Sequence, residues 1–332
     1  MPALSSPVSK LTSHPQMRRA RKRYKWARLR ASFRAHQAVL GNPQSGRRFS
    51  AEPPVLSEAQ RKVLADLKEN GIATATFQDL FGEDPLWDEL ASDMAEFTAQ
   101  AEEDSRREAD GDAPRSKDQF LIRRGRRREK ELKAQGVKPP FPRLALDDPW
   151  LRYAMSGPIL DIANSYRGMW TKLIDMDQWY TVPYGTDYSR VGSQNWHRDP
   201  EDLHVIKVFT YFSDVDDEAG PFQYIPGSAE GGRYGHLWPW RVTGETYPSQ
   251  EELAAKIPES EFRTATGPRG SIIFCDTSGF HRGGFAKSKP RVMSYHTFVS
   301  PASHLSGRKR RRFFVDLPEN GAVADPVRFA LS

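Results

Sequence analysis

The stretch QNWHRDPED, residues 194–202, sets His197 and Asp199 two positions apart and follows them with a proline and two more acids. In an extended backbone, side chains at i and i+2 share a face, so this imidazole and carboxylate would converge while Trp196 and Arg198 turn away. With eight histidines and 23 aspartates in 332 residues, such a triplet arises by chance about once in every two chains of this kind. Alone it reads equally well as a metal-binding pair or as a polar turn. The later block GSIIFCDTSGFHRGGFAKSKPRVMSYHTFV adds His281 just past an apolar run, and Arg291 at the head of another. Two imidazoles and one carboxylate on one side of an ion leave open positions, as in non-haem Fe(II) oxygenases. Alternation sets Arg291 on one face with Met293, Tyr295 and Thr297. A buried guanidinium needs an anion, and none lies beside it in sequence. A 2-oxo acid would chelate the metal, leave a position for dioxygen and offer its distal carboxylate to the Arg291 fork.

Other residues carry two readings each. Lys207 interrupts the apolar run HVIKVFTYF and either reaches the cosubstrate carboxylate or sits on an edge strand; Tyr180, in QWYTVP, either bonds cosubstrate or substrate or fills the core. Ser193 and Gln194 precede the ligand pair and either support it or form a simple loop. His204, His236, His296 and His304 are read as structural, since His296 falls on the opposite face of its strand from Arg291. Asp216 and Asp217 in DVDDEAG read as a solvated turn in which Gly220 supplies backbone freedom.

The elements that must position these groups are legible in outline. Ser57 with Gln60 forms a capping box for a helix through Glu69, closed by Gly71. A strand over 72–77 and a helix over 85–109 follow, then a charged loop and helix over 111–136. Apolar residues at helical spacing predict one amphipathic helix over 148–167, with Gly168 past its end. Beyond Trp170 the pattern changes to short β-branched and aromatic runs at 172–182, 195–199, 204–212, 222–225, 261–266, 271–275 and 291–299. Strands of this length separated by turns imply an antiparallel sandwich or barrel.

Composition bounds the class. No apolar run approaches the roughly 18 residues of a membrane helix, so no transmembrane segment is expected. The lone Cys275 excludes cysteine-based zinc and iron–sulfur sites and fits a reducing, cytoplasmic compartment. Residues 1–51 hold twelve Lys or Arg and no acid, leaving 37 basic and 43 acidic residues in the rest. That is a basic arm on a mildly acidic body, not a basic domain face. The aromatic-interleaved segment 17–40 has three readings: contact with nucleic acid or anionic membrane, organellar import, or packing on the body. The expected organisation is a basic extension and linker over 1–54 (linker 41–54), a catalytic domain over 55–316 with its β core at about 170–300, and a C-terminal tail over 317–332. The basic run 307–314 reads as charged surface.

The blocks WHRDPED, DVDDEAGPFQYIPGS and GSIIFCDTSGFHRGG…KPR together resemble the phytanoyl-CoA dioxygenase-like Fe(II)/2-oxoglutarate oxygenases, over about half the chain, 144–301. The resemblance implies a mainly β fold, a double-stranded β-helix (cupin-like jelly roll) with flanking α-helices. It implies that His197, Asp199 and His281 hold Fe(II) and that Arg291 anchors 2-oxoglutarate. Ala229 replaces the histidine that the family commonly carries in PGSH, which bears on substrate contacts rather than on the metal. Halogenating members lack the carboxylate, so the presence of Asp199 points away from halogenation. The activity implied is a dioxygenase that oxidatively decarboxylates 2-oxoglutarate to succinate and CO2 and hydroxylates a small organic molecule. Two rivals stay open: a non-catalytic cupin-fold binding module, and an oxygenase recruited to a macromolecule by the basic arm.

Overall fold

The structure is a computed structural model and describes residues 15–110, 121–125, 142–185, 190–241, 247–306, 313–318 and 323–332. The charged run 307–312, most of the segment 111–136 and the first 14 residues lie outside the described residues. Helix α1 (Pro15–His36) continues through a π-helical turn (Gln37–Gly41) into α2 (Pro43–Ala51). The expected linker over 41–54 is therefore mostly helical, because its polar side chains are anchored on the body. Asn42 Oδ1 accepts from the Ala302 amide at 3.1 Å, Ser45 Oγ donates to the Trp170 carbonyl at 2.6 Å, and the Gln37 amide bonds to Asp202. At the end of α1, Phe33 stacks on Trp240 at 5.0 Å between centroids. Packing on the body is thus the reading of the arm that its C-terminal half follows.

Helix α3 (Glu58–Asn70) begins at the expected capping box and ends at Gly71, whose φ of 76° places it in the left-handed region that glycine adopts without strain. Then come β1 (Ile72–Thr76), α4 (Phe77–Phe81), α5 (Leu86–Ala109), β2 (Leu121–Arg123) and β3 (Arg143–Leu144). The single helix expected over 148–167 is two, α6 (Pro149–Met155) and α7 (Gly157–Arg167). Asp148 caps the first through the amides of Trp150 and Leu151. Pro158 cannot donate to the turn before it, and the chain breaks at Ser156, which is extended.

The remaining elements are β4 (Lys172–Thr181), β5 (Ile206–Tyr211), β6 (Phe222–Tyr224), α8 (Gln250–Ala254), β7 (Arg263–Ala265), β8 (Ser271–Asp276), β9 (His281–Arg282), β10 (Arg291–Val299), β11 (Phe314–Val315) and α9 (Asp325–Leu331). Strands β1-β8-β5-β10-β4-β2 form an antiparallel six-stranded sheet and β7-β6-β9 a three-stranded one, while β11 pairs with β3. Phe209, Tyr211, Ile273, Met293 and Tyr295 of the large sheet pack in one cluster with Phe222, Tyr224 and Ala265 of the small one. The two sheets therefore face each other, as the double-stranded β-helix requires. The opposite face of the large sheet, with Val208, Phe274, Val292 and Phe298, packs on Val63, Leu90, Met94, Tyr153 and Ile159 of the helices. The C-terminal segment is not a free tail: Ala330 and Leu331 join this same cluster, and Lys172 Nζ donates to the Phe329 carbonyl at 2.6 Å.

His296 lies on the helix side of β10, its ring 5.3 Å from that of Tyr153 and 6.4 Å from that of Trp150. Burial there pushes its imidazole from 6.5 down to about 3. Between these values the unfolded chain binds the extra proton, so stability is full above the unfolded value and lost as pH falls toward the folded one. Urea midpoints, followed by tryptophan fluorescence at several pH values, are expected to decline once pH drops below about 6.5. The decline is expected to be shallower in His296→Phe; an identical decline in that variant would assign the acid sensitivity elsewhere.

Candidate metal centre and cosubstrate pocket

The segment expected as a strand over 195–199 forms one bridge only, between His197 and His281. That bridge is reciprocal, each amide donating to the other carbonyl at 3.0 Å, and the Asp199 amide donates to the Thr277 carbonyl at 2.9 Å. Directly opposed antiparallel residues project to the same side, and the two imidazole rings lie 4.2 Å apart between centroids. Alternation then brings Asp199 to that side: its Oδ1 is 3.7 Å from His197 Nε2 and its Oδ2 3.6 Å from His281 Nε2.

One ligand atom from each of His197, Asp199 and His281 falls within 4.8 Å of the others, and all three residues are buried. The donor chemistry fits a divalent ion. Each Nδ1 faces a backbone carbonyl, of Asn195 at 2.8 Å and of Gly279 at 3.0 Å. That contact fixes the proton on Nδ1 and leaves the Nε2 lone pair for a metal. Both Nε2-to-carboxylate separations are shorter than two metal–ligand bonds of about 2.1 Å, so one ion can bridge them. Burial and the neighbouring His197 push His281 down to about 3, which keeps it neutral. Burial works against the Asp199 anion, yet the Lys207 ammonium beside it outweighs that and holds the carboxyl well below its usual range.

These residues open into a cavity of about 510 Å³ between the sheets, lined also by Trp179, Thr181, Gln194, Phe209, Phe222 and Met293. Arg291 enters it fully buried, as alternation along β10 predicts, and one guanidinium nitrogen donates to the Gly220 carbonyl. Among the described residues its Nε has no hydrogen-bond partner. Gly220 has φ of 69°, and a Cβ there would lie 2.5 Å from the backbone of Phe285 and Ala286. A glycine is required to bring that carbonyl under the arginine.

Lys207 also faces the cavity, but its Nζ lies 2.6 Å from Asp199 Oδ2. It pairs with the Asp199 carboxylate and stands on the strand next to β10, opposite Thr297. Tyr180 is a correction to the sequence reading. Register pairs Met293 with Trp179 and Val292 with Tyr180, so Trp179 and Thr181 line the cavity while Tyr180 packs against the helices. Arg198 turns away from the pocket and donates to the carbonyls of Ser228, Ser278 and Leu237, with its guanidinium 3.9 Å from the Phe280 ring centroid. Ser193 and Gln194 line the cavity rim. His204 is structural, its Nδ1 2.6 Å from Asp276. Asp216 bonds the amides of Glu218 and Ala219 and pairs with Lys289 in an exposed turn.

Thr297 lines the cavity on the face that alternation along β10 assigns to it, and Asp175 and Glu201 line it as well, without a role assigned from sequence. Asp175 follows only once the register of β4 against β10 is known; Glu201 stands two positions beyond Asp199, the one spacing that could have pointed to it. Burial and the neighbouring Asp199 raise Glu201 to about 7. Among the described residues no helix is long and apolar enough to cross a membrane.

Among solved structures, similar chains include the epimerase SnoN in complex with Fe3+, alpha ketoglutarate and nogalamycin RO (18% identity, 81% of this chain and 93% of that one, TM-score 0.45). Others are EctD from S. alaskensis with bound Fe (17% identity, 75% and 80%, TM-score 0.46) and HygX from Streptomyces hygroscopicus with nickel and 2-oxoglutarate bound (14% identity, 74% and 88%, TM-score 0.42). A search of curated proteins finds no match. The family model of phytanoyl-CoA dioxygenase (PhyH) matches residues 63–292, more than half of the sequence and all of the residues that build the centre. The chain belongs to the phytanoyl-CoA dioxygenase family.

Proposed function

We propose that the protein is an Fe(II)- and 2-oxoglutarate-dependent dioxygenase that hydroxylates a small organic substrate, with His197, Asp199 and His281 holding the metal and Arg291 the distal carboxylate of the cosubstrate. The observation that carries this reading is the convergence of two Nε2 lone pairs and one carboxylate on the wall of a cavity that also receives a buried arginine. When bound, the metal with 2-oxoglutarate and dioxygen supplies the oxidation, yielding succinate and CO2 and delivering one oxygen atom to the substrate.

The chain's own part is placement and exclusion of water. The carbonyls of Asn195 and Gly279 hold the two imidazoles in one tautomer. Lys207 holds one oxygen of Asp199, leaving the other for the metal. Arg291, stripped of water and steadied by the Gly220 carbonyl, meets a carboxylate with the remainder of its fork. Phe209, Phe222 and Met293 supply dry walls. A cavity of about 510 Å³ lies within the range that encloses a small molecule. The organisation we propose is one catalytic body that includes α2 and α9, with α1 as a basic helix docked on it at its C-terminal end through Phe33, and a cytoplasmic setting.

Anaerobic addition of Fe(II) and 2-oxoglutarate is expected to give the weak visible band of the metal–keto acid chelate, and His197→Ala or Asp199→Ala to abolish it. Absence of the band from the intact protein would overturn the enzyme reading in favour of a binding module. Arg291→Lys keeps the charge and loses the planar fork, and is expected to raise the KM for 2-oxoglutarate by about 10- to 100-fold. Tyr180→Phe, on the helix side of β4, is expected to leave that KM unchanged. Both are read in a succinate-formation assay, and the opposite ranking would return Tyr180 to the pocket.

A further inference from the structure

The end of the cavity remote from Arg291 is built as an acceptor site. Arg291 and Thr297 close the inward row of β10, six residues or roughly 20 Å apart at the usual strand rise. Register places Asp175 of β4 on one side of Thr297 and Lys207 of β5 on the other, and Glu201 lines the same end. Asp175 Oδ2 accepts from the Tyr295 hydroxyl at 2.8 Å, and the Lys207 ammonium is engaged by Asp199. Two acceptors at this end are buried with no protein partner among the described residues: Glu201 Oε2, and Oγ1 of Thr297, a residue only 2% exposed. Buried polar atoms without partners are rare and costly unless a ligand completes them. Ile174 and Leu305 add apolar walls beside them.

We propose that this end is the substrate-recognition subsite and that it takes a primary ammonium group, two of whose N–H donors are received by Glu201 Oε2 and Thr297 Oγ1. The inference rests on the enzyme reading above and narrows its substrate class to small amines. Donor count and charge sign decide between ligand classes. An ammonium has donors enough for both open acceptors, an alcohol has one, and a carboxylate has none and meets like charge. Arg291, at the other end of the row, is kept for the cosubstrate, so the amine would reach the metal from the opposite side of the cavity.

The enzyme loaded anaerobically with Fe(II) and 2-oxoglutarate is titrated with butylamine, butanol and butyrate, probes that share a four-carbon chain, and binding is read as a shift of the chelate band. Butylamine is expected to bind at least about tenfold more tightly than butanol, as a charge-assisted contact implies, and butyrate not to bind. Glu201→Gln and Thr297→Val, each read separately so that failure of one to load leaves the other decisive, are expected to lose the amine preference, and Glu201→Asp to recover part of it. Equal shifts with butanol, no shift with butylamine, or a preference that survives both substitutions would overturn the proposal. Failure of the enzyme reading is seen earlier and differently, as a chelate band that never forms before any probe is added.

Discussion

The short antiparallel contact between residues 197–199 and 277–281 is the constraint on which the rest of the molecule depends. Three backbone hydrogen bonds, two between His197 and His281 and one from Asp199 to Thr277, set the spacing of two imidazoles and a carboxylate. The ligand segment borrows its rigidity from the turn between β8 and β9, and that turn is in turn fixed by β8, whose six residues are all buried. Buried ligands held in this way are arranged before any ion arrives, so little conformational freedom remains to be lost on binding.

Around that contact the large sheet works with two faces. Along β10 every residue is buried, yet odd and even positions serve opposite ends of the structure. Arg291, Met293, Tyr295 and Thr297 look into the space between the sheets, while Val292, His296 and Phe298 are locked against helices. A strand buried on both sides resists twisting or slipping, because a one-residue slip would turn Arg291 and Thr297 into the helix layer and bring Val292 and Phe298 to the cavity. The helical layer is therefore more than a cover. It fixes the register that points a guanidinium and a hydroxyl row at the site.

Much of this is legible in the residues themselves. Ser57 and Gln60 announce the first turn of α3, and Arg291 and His296 take opposite faces of β10 simply because their spacing is odd. Tyr180 shows where legibility stops. Alternation says that Trp179 and Tyr180 face apart, but only the pairing of β4 with β10 says which one faces in. The segment 41–54 looks like a linker because its composition is polar; its helicity comes from bonds to Trp170 and Ala302, more than a hundred residues away in sequence. The break at Ser156 was signalled by Gly157 and Pro158 and outweighed by the helical periodicity on either side. Asp175 and Glu201 stay hidden because a carboxylate has no distinctive spacing until the strands beside it are placed.

The residue between the first two ligands, Arg198, binds three carbonyls contributed by segments 30, 39 and 80 residues away in sequence. Its guanidinium rests against Phe280, immediately before the third ligand. The wall carrying all three ligands and the loop through Ser228 and Leu237 behave as one braced unit. The wall at Val191–Ser193, which Arg198 does not touch, joins this unit through the Gly283 amide, which donates to the Ser193 carbonyl at 2.8 Å.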